Sequence, residues 1–311
     1  MNRIRFLRIA SLSALALLAA CQSSPRRADP VVAGTTDWRE SLVGEYDNNE
    51  QVEQARPTVV PHLRLVVEAM PTRGWFVWRT RLHLDSVLEA TWLLRADTAA
   101  DGSLVLVPHR PLAKDAATGT KFDAAQWVAL DACALRAPAP VNGLAARADA
   151  AACATVAPGV GVEAALLPLS IEQHGEIVRV RVYADQARGA DAKSVARRVQ
   201  WFGGWAAING AGDKATAESR DWHMDKGLRL DNEGGRASLK WRDGTPSGHS
   251  LRLERLTYRD GSTPVLKLSL VEDASGQAIA YAWANPEATS IGLNLGWVQV
   301  GLTRETGVPK P

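Results

Sequence analysis

The stretch HLRLVVEAMPTRGWFVWRTRLHL, residues 62–84, decides the fold because apolar and polar side chains alternate along most of its length. Leu63, Leu65 and Val67 occupy one phase of this alternation, and a second alternating run begins at Phe76. A period of two places one set of side chains in a core and the other set in water. The stretch therefore predicts two β-strands that each bury one face.

The same alternation recurs through the rest of the chain, with turn signals between the runs. Further alternating runs are Leu104-Leu106, Val178-Val180-Val182, Leu251-Leu253, Leu266-Leu268-Leu270 and Leu293-Leu295-Trp297. Dipeptides that suit a positive φ are Asp101-Gly102, Asn142-Gly143, Asn209-Gly210, Gly234-Gly235, Asp243-Gly244 and Asp260-Gly261. Helical patterns are confined to residues 38–42, 124–130 and 190–199.

Hairpin-linked strands of this number close into a barrel or pair into a sandwich, because long free sheet edges invite aggregation. We expect an all-β protein with an antiparallel barrel and few short helices. The stretch WFGGWAAINGAGDK, residues 201–214, interrupts the pattern, and its glycines suit a linker or a sharp turn. A second β-rich run follows it, over residues 221–302.

The first residues have the order of charge, apolar core and small residues that is typical of a secretory signal. Arg3, Arg5 and Arg8 precede an apolar run over residues 9–18, which is too short to span a bilayer. The ending LAAC, residues 18–21, resembles the lipobox of bacterial lipoproteins, in which cleavage before the cysteine leaves a thiol that receives a lipid.

This resemblance implies a protein anchored in a membrane by acyl chains, such as palmitate, on Cys21. Gln22 favours the outer membrane, and we expect the periplasmic face. The alternative is an ordinary secretory signal followed by an incidental cysteine. The expected segments are a signal peptide at 1–20, a flexible tether at 21–36, a barrel at 37–205 and a β-rich C-terminal region at 206–311.

The two remaining cysteines, Cys133 and Cys153, form an even pair in a chain that we expect to enter an oxidising compartment. We predict that they form a disulfide. Two buried free thiols are an alternative. Two metal ligands are a weaker one, because no CxxC spacing or nearby histidine cluster accompanies them.

The charge pattern and the motifs exclude several classes of function. The 36 basic and 34 acidic side chains are interspersed and leave a net charge of +2, which indicates no nucleic-acid partner. The HExxH, GxSxG and Walker motifs are absent, and the six histidines are scattered, so we expect no metal and no resident cofactor. Enzyme activity stays open, because catalytic residues can be dispersed in sequence. Most of the eleven tryptophans are expected to pack in the core, and the alternative is that a few line a cavity.

Residues 42–71, LVGEYDNNEQVEQARPTVVPHLRLVVEAMP, have a specific order of glycine, aromatic, amide and histidine residues. The matching positions are Gly44, Tyr46, Asn48 or Asn49, Gln51 and His62. Arg79-Thr80-Arg81, the segment ALDACAL around Cys133, Cys153 and IVRVRVYADQ at 177–186 continue the match. Over residues 38–205 the chain resembles the CpcT/CpeT-type phycobiliprotein chromophore lyases.

The resemblance implies a calycin-like antiparallel barrel with a cavity that accepts a linear tetrapyrrole. Arg79 and Arg81 suit its propionates through charge-assisted contacts, with Trp75 and Trp78 at or near the pocket. Tyr46, Asn48, Gln51 and His62 are expected at its mouth. As alternatives, the two arginines form the wet face of a strand, and Asn48 and Gln51 cap a turn.

Three functions remain open for this sequence. The preferred one is a lipid-anchored envelope protein whose barrel binds a hydrophobic or tetrapyrrole-like ligand. The second is a chromophore lyase that positions a bilin for attachment to a cysteine of a partner protein. Export disfavours the second, because the lyases of this family act on cytoplasmic light-harvesting proteins. The third is a structural envelope lipoprotein with a filled core, which a measured cavity volume distinguishes from the first.

Overall fold

A computed structural model shows the alternating segments as β-strands. It describes residues 37–306 except 84–85, 114–115, 117, 119–121, 141–142, 158–159, 190–191 and 258–262. The α-helices are α1 (Trp38–Leu42), α2 (Asn49–Ala55) and α3 (Ala150–Ala154). The strands are β1 (Gly44–Asp47), β2 (His62–Ala69), β3 (Trp75–His83), β4 (Val87–Thr98), β5 (Leu104–Pro111), β6 (Trp127–Ala129), β7 (Leu135–Ala137), β8 (Leu144–Arg147), β9 (Pro168–His174), β10 (Ile177–Val182), β11 (Ser194–Arg198), β12 (Trp201–Asn209), β13 (Trp222–Asp231), β14 (Glu233–Lys240), β15 (Pro246–Thr257), β16 (Pro264–Glu272), β17 (Ala278–Ala284), β18 (Ser290–Asn294) and β19 (Val298–Arg304).

Ten of these strands close into an antiparallel barrel, which confirms the predicted fold class. Their order is β4-β3-β2-β1-β11-β10-β9-β8-β7-β5, and pairing of β5 with β4 closes the ring. The quoted stretch forms the hairpin β2–β3, in which Leu65 pairs with Thr80 and Val67 with Trp78. Strand β6 is attached to the end of β5 outside the ring.

The barrel interior is packed with the inward-facing side chains that the alternation predicts. Leu63, Leu65 and Trp78 are fully buried, and Trp92 on β4 pairs with Trp78 across the ladder. This packing contributes most of the favourable free energy of folding, because each large apolar side chain removed from water is worth about 1.5–3 kcal/mol.

The predicted disulfide is confirmed. Cys133 and Cys153 are bonded, and both are fully buried. The bond joins a 3-10 turn at Asp131–Cys133 to α3, and both cysteines are part of the barrel's apolar core. The chain between the two cysteines, which includes β7 and β8, is therefore a closed loop.

The C-terminal strands form two further antiparallel sheets of four strands each. One has the order β13-β12-β19-β18 and the other β14-β15-β16-β17. They face a second apolar core, which is separate from that of the barrel and includes Phe202, Leu251 and Leu268. The predicted β-rich C-terminal region is therefore present, although its first strand begins before residue 206.

The prediction of a linker at residues 201–214 is wrong over residues 201–209, which form the continuous strand β12. Its glycines serve close packing rather than a turn. A Cβ atom at Gly204 would collide with the carbonyl oxygen of Gly301 on the neighbouring strand β19. Glycine lets two backbones approach in this way, and a local sequence pattern does not distinguish that use from flexibility.

One helix prediction is confirmed and two are corrected. Residues 38–42 are α1, capped by Asp37, whose side chain accepts a hydrogen bond from the Arg39 N–H. Residues 124–130 form only a single 3-10 turn before β6, and residues 190–199 contain the strand β11 instead of a helix. Pairing of β11 with both β1 and β10 closes this side of the barrel, so ladder hydrogen bonds override the local helical pattern.

A buried ion pair connects the barrel to the C-terminal sheets. The Arg197 guanidinium on β11 donates to both carboxylate oxygens of Glu233 on β14, at 2.7 and 3.1 Å. It also donates to Glu50 on α2 at 2.8 Å and to the carbonyl oxygen of Arg255 on β15 at 2.7 Å. Both Arg197 and Glu233 are buried, so each charge depends on the other for solvation.

Candidate functional site

A cavity of about 990 Å³ lies where the barrel wall opens beside β4. The ladder between β4 and β5 extends only from Leu93 to Thr98, and among the described strands β3 alone pairs with Val87–Trp92. Strand β5 turns toward β6 at His109, where its ladder with β4 ends. The first half of β4 therefore has a free edge, and side chains from both of its faces line the cavity.

The outer wall of the cavity carries charged side chains that form ion pairs and hydrogen bonds with one another. His62 Nε2 lies 2.7 Å from Asp47 Oδ1, and Arg64 donates to Asp47 Oδ2 at 3.1 Å. Arg64 also contacts Glu45 at 2.7 Å and Asp231 of the C-terminal region at 3.3 Å. The hydrogen bond to Asp47 raises the pKa of His62, an effect that burial partly opposes.

Arg79 and Arg81 also lie on the outer wall, and their side chains project away from the barrel core. Arg79 is 2.7 Å from Glu68 Oε2, and Arg81 is paired with Glu89. Both guanidinium groups are substantially exposed. The two arginines line the cavity. Each already has a carboxylate partner, which is the arrangement expected on the solvent-exposed face of a strand.

The inner wall differs from the outer wall, because several of its polar groups have no hydrogen-bond partner in the described part of the chain. Thr80 Oγ1 and the indole nitrogens of Trp78 and Trp92 are buried and make no hydrogen bond in the described part of the chain. Thr80 and Trp92 line the cavity, together with the half-buried Arg110. No ion pair or hydrogen bond joins the Arg110 side chain to any residue among those that the structure describes.

Tyr46 lies inside the barrel core and away from the cavity. Its hydroxyl group donates to the carbonyl oxygens of Ser41 and Leu42, at 3.0 Å each, and accepts from Arg198 at 2.7 Å. Burial raises the pKa of Tyr46 to about 12. This residue connects α1 to the start of the barrel.

Asn48 and Gln51 make long-range contacts that hold α2 and the connection between β1 and β2 in place, and Asn48 makes no side-chain capping hydrogen bond, so the turn-capping alternative is not what the structure shows for it. Asn48 accepts from the Leu63 N–H at 2.7 Å and donates to the Pro61 carbonyl oxygen at 2.9 Å. Gln51 donates to the Lys193 carbonyl oxygen at 3.0 Å, and its side-chain oxygen accepts from the N–H of Val195. Neither residue lines the cavity.

The two candidate tryptophans occupy opposite faces of β3. Trp75 packs outside the ring against His109 and Phe122, with ring centroids 4.8 and 5.2 Å apart. Trp78 is fully buried in the barrel core and does not line the cavity, whereas Trp92, its partner across the ladder, does. Of the eight candidate ligand residues, His62, Arg79 and Arg81 therefore line the cavity.

Sequence reasoning missed Trp92, Arg110 and Glu163 as individual cavity residues. A signal for Arg110 exists, because it follows Leu104 and Leu106 in the inward phase of β5, where a charged residue is unexpected. Glu163 comes from a 3-10 turn whose sequence has no periodic pattern, so only the tertiary structure brings it to the cavity.

The described residues contain no group of three or more His, Cys, Asp or Glu side chains arranged to hold a metal ion. No helix within them is long and apolar enough to cross a membrane. Cys21 and the expected signal peptide lie outside the described residues. Comparisons with protein-family models, with curated proteins and with solved structures find no match to this chain.

Proposed function

We propose that this chain is a lipid-anchored envelope protein whose barrel binds a small amphipathic ligand in the cavity beside β4. The carrying observation is the cavity itself, whose volume lies at the upper end of the range for small-molecule sites. Apolar side chains on its walls include Val66, Leu112 and Val160. They lie in the same cavity as the unpartnered polar groups of the inner wall.

This combination suits a ligand that is largely apolar and carries a polar end. Leu112 is 60% exposed although it lines the cavity, so covering it with an apolar ligand removes apolar surface from water. A filled structural barrel would leave no cavity of this volume. A linear tetrapyrrole has the required character, and the closed antiparallel barrel supports a distant relationship to the CpcT/CpeT-type proteins.

Native mass spectrometry with an absorbance spectrum tests this proposal. The protein is exported with Cys21→Ser, so that an anchored lipid does not add to the mass. We expect a retained mass that disappears on denaturation, and binding of dodecanoate or biliverdin to the emptied protein. A clean mass together with no binding of either probe would contradict the proposal.

A pair of threonine variants on β4 locates the ligand. Thr91 lines the cavity, so Thr91→Trp fills part of it and should lower ligand occupancy at least tenfold, because the added ring occupies the binding volume. Thr98→Trp is the matched control at the exposed end of the same strand, and it should retain the ligand. Equal occupancy in the two variants would place the ligand elsewhere.

A further inference from the structure

The inner wall of the cavity brings together Arg110, which has no ion-pair partner in the described chain, and two buried side chains whose donors have no hydrogen-bond partner there. The last pair of the β4–β5 ladder is Leu93 with His109, so Trp92 and Arg110 occupy the next step of the two strands. Arg110 is in the inward phase of β5, and Trp92 is in the inward phase of β4. Thr80, one strand further on β3, pairs with Ala90 on the same face.

The two donors are almost completely buried, so the lack of a hydrogen-bond partner in the described chain costs free energy. Trp92 is 1% exposed and Thr80 is 3% exposed, yet Trp92 Nε1 and Thr80 Oγ1 have no hydrogen-bond partner among the described residues. A buried polar group without a partner costs free energy, and an acceptor that reaches it removes the cost. Because an indole N–H only donates, the missing partner of Trp92 is an acceptor.

Arg110 determines the charge of that acceptor. Arg64, Arg79 and Arg81 line the same cavity, and each contacts at least one carboxylate, whereas Arg110 contacts none in the described chain. A half-buried guanidinium in this position favours an oxyanion through charge-assisted hydrogen bonds. Glu163 also lines the cavity and has no ion-pair partner in the described chain, so it limits the head group to a single charge, whereas Glu45, Asp47 and Glu89 are already paired with Arg64 and Arg81.

We propose that Arg110, Trp92 and Thr80 form the anchoring subsite for the carboxylate of an amphipathic ligand. Its apolar body extends past Leu112 and Val160 toward the open side of the cavity. This inference rests on the proposed function and adds the class of head group and the residues that select it. Arg79 and Arg81 are not part of the anchor, because Glu68 and Glu89 already neutralise them.

Isothermal titration calorimetry on the full exported chain with Cys21→Ser tests the subsite. The probes are dodecanoate, its neutral analogue dodecanol, and dodecyl phosphate. We expect dodecanoate to bind the most tightly and Arg110→Gln to weaken it about tenfold to a hundredfold, the worth of a charge-assisted contact. The affinity of the Arg110→Gln variant for dodecanol should equal that of the wild type. Arg147→Gln removes an exposed arginine outside the cavity and is the matched control.

A second variant separates ligand binding from folding. Thr80→Val removes a buried hydroxyl group that has no partner, so the melting temperature of the unliganded protein should stay the same or rise. Its dodecanoate affinity should fall severalfold, because the carboxylate loses one donor. A merely structural Thr80 would show the opposite result, with lower stability and unchanged affinity.

The outcomes distinguish this inference from the proposed function. If the wild type retains a ligand but binds dodecanol as tightly as dodecanoate, or if Arg110→Gln has no effect, the subsite is wrong and the function stands. Tighter binding of dodecyl phosphate would overturn the assignment of a singly charged head group. If the wild type retains no ligand and binds no probe, both proposals fail.

Discussion

At the scale of single residues, the cavity has two walls of different chemistry. The outer wall consists of matched charges, such as Arg64 between Asp47 and Glu45. Asp47 is buried and Arg64 is half-buried, so each of these charges depends on its partner for solvation and is held in a defined position. The inner wall has donors at Thr80 and Trp92 that find no acceptor among the described residues. The outer wall is therefore held by its own ion pairs, and the inner wall is the part that we propose to face a ligand.

His62 provides a titration test of the outer wall. The hydrogen bond to Asp47 raises the pKa of its imidazole above 6.5, with burial and Arg64 opposing the shift. A raised pKa stabilises the folded protein below the unfolded-state pKa, and this contribution is lost as the pH rises through the folded-state pKa. Asp47→Asn should shift the titration of His62 to lower pH in an NMR titration.

A control for this titration uses another carboxylate on the same strand as His62. Glu68 pairs with Arg79 and does not contact His62, so Glu68→Gln should leave the His62 titration unchanged. An unchanged His62 titration in Asp47→Asn would show that Asp47 is not the cause of the shift.

At the scale of elements, one break in strand pairing opens the cavity. The ladder between β4 and β5 ends at Leu93, which opens the cavity, and β5 continues by pairing with β6. The outer face of β3 and β4 beyond this point is covered by a small cluster that contains Val77, Leu93 and Trp127. One half of this outer face is therefore closed by apolar packing, and the other half forms the charged outer wall of the cavity.

The contact between β11 and β14 predicts a clear stability difference. Arg197→Met leaves Glu233 buried without its partner and should lower the free energy of unfolding by about 3–5 kcal/mol. The double variant Arg197→Met with Glu233→Met should lose much less, because no buried charge is left alone. Urea unfolding measures both values.

Arg147→Met is the matched control for these variants, because Arg147 forms an exposed pair with Glu172. It should change the free energy of unfolding by less than about 1 kcal/mol. A double variant as unstable as Arg197→Met alone would mean that the buried pair is not the main contact between β11 and β14.

At the scale of the whole molecule, one closed ring supports two further sheets. The barrel has its own apolar core, and the C-terminal sheets have another. The barrel also contains the disulfide, whose loop includes part of the wall. Because the ring is closed, residues far apart in sequence, such as Arg110 and Glu163, line one cavity.

Removal of the disulfide tests how far this loop stabilises the whole barrel. The double variant Cys133→Ala with Cys153→Ala should lower the free energy of unfolding by about 3 kcal/mol, because the unfolded chain regains the entropy of the loop. Urea unfolding with and without reductant measures the effect. Reductant should destabilise the wild type and leave the double variant unchanged. Equal stability of the two proteins under oxidising conditions would contradict the prediction.

The sequence by itself determined the properties that depend on neighbouring residues. Alternation identified β2 and β3, and an even pair of cysteines identified the disulfide. The alternation is a local signal, since a period of two is complete within one strand. The disulfide was predicted from the number of cysteines and not from their surroundings. The same reasoning failed at residues 190–199, where pairing with β1 and β10 decides the structure.

Only the tertiary structure decided where the cavity lies and which residues line it. The resemblance implied that Tyr46 and Gln51 lie at the mouth of the cavity, whereas both make structural contacts and neither lines it. No local pattern shows that the ladder from β4 ends at Leu93. That break depends on contacts between distant segments: the β4–β5 ladder ends at Leu93 and His109, and β5 continues to Pro111 with β6 as its partner on the other edge. Arg110 and Trp92 are the first residues beyond the ladder and both line the cavity, since the register of two strands is a property of their pairing and not of either sequence alone.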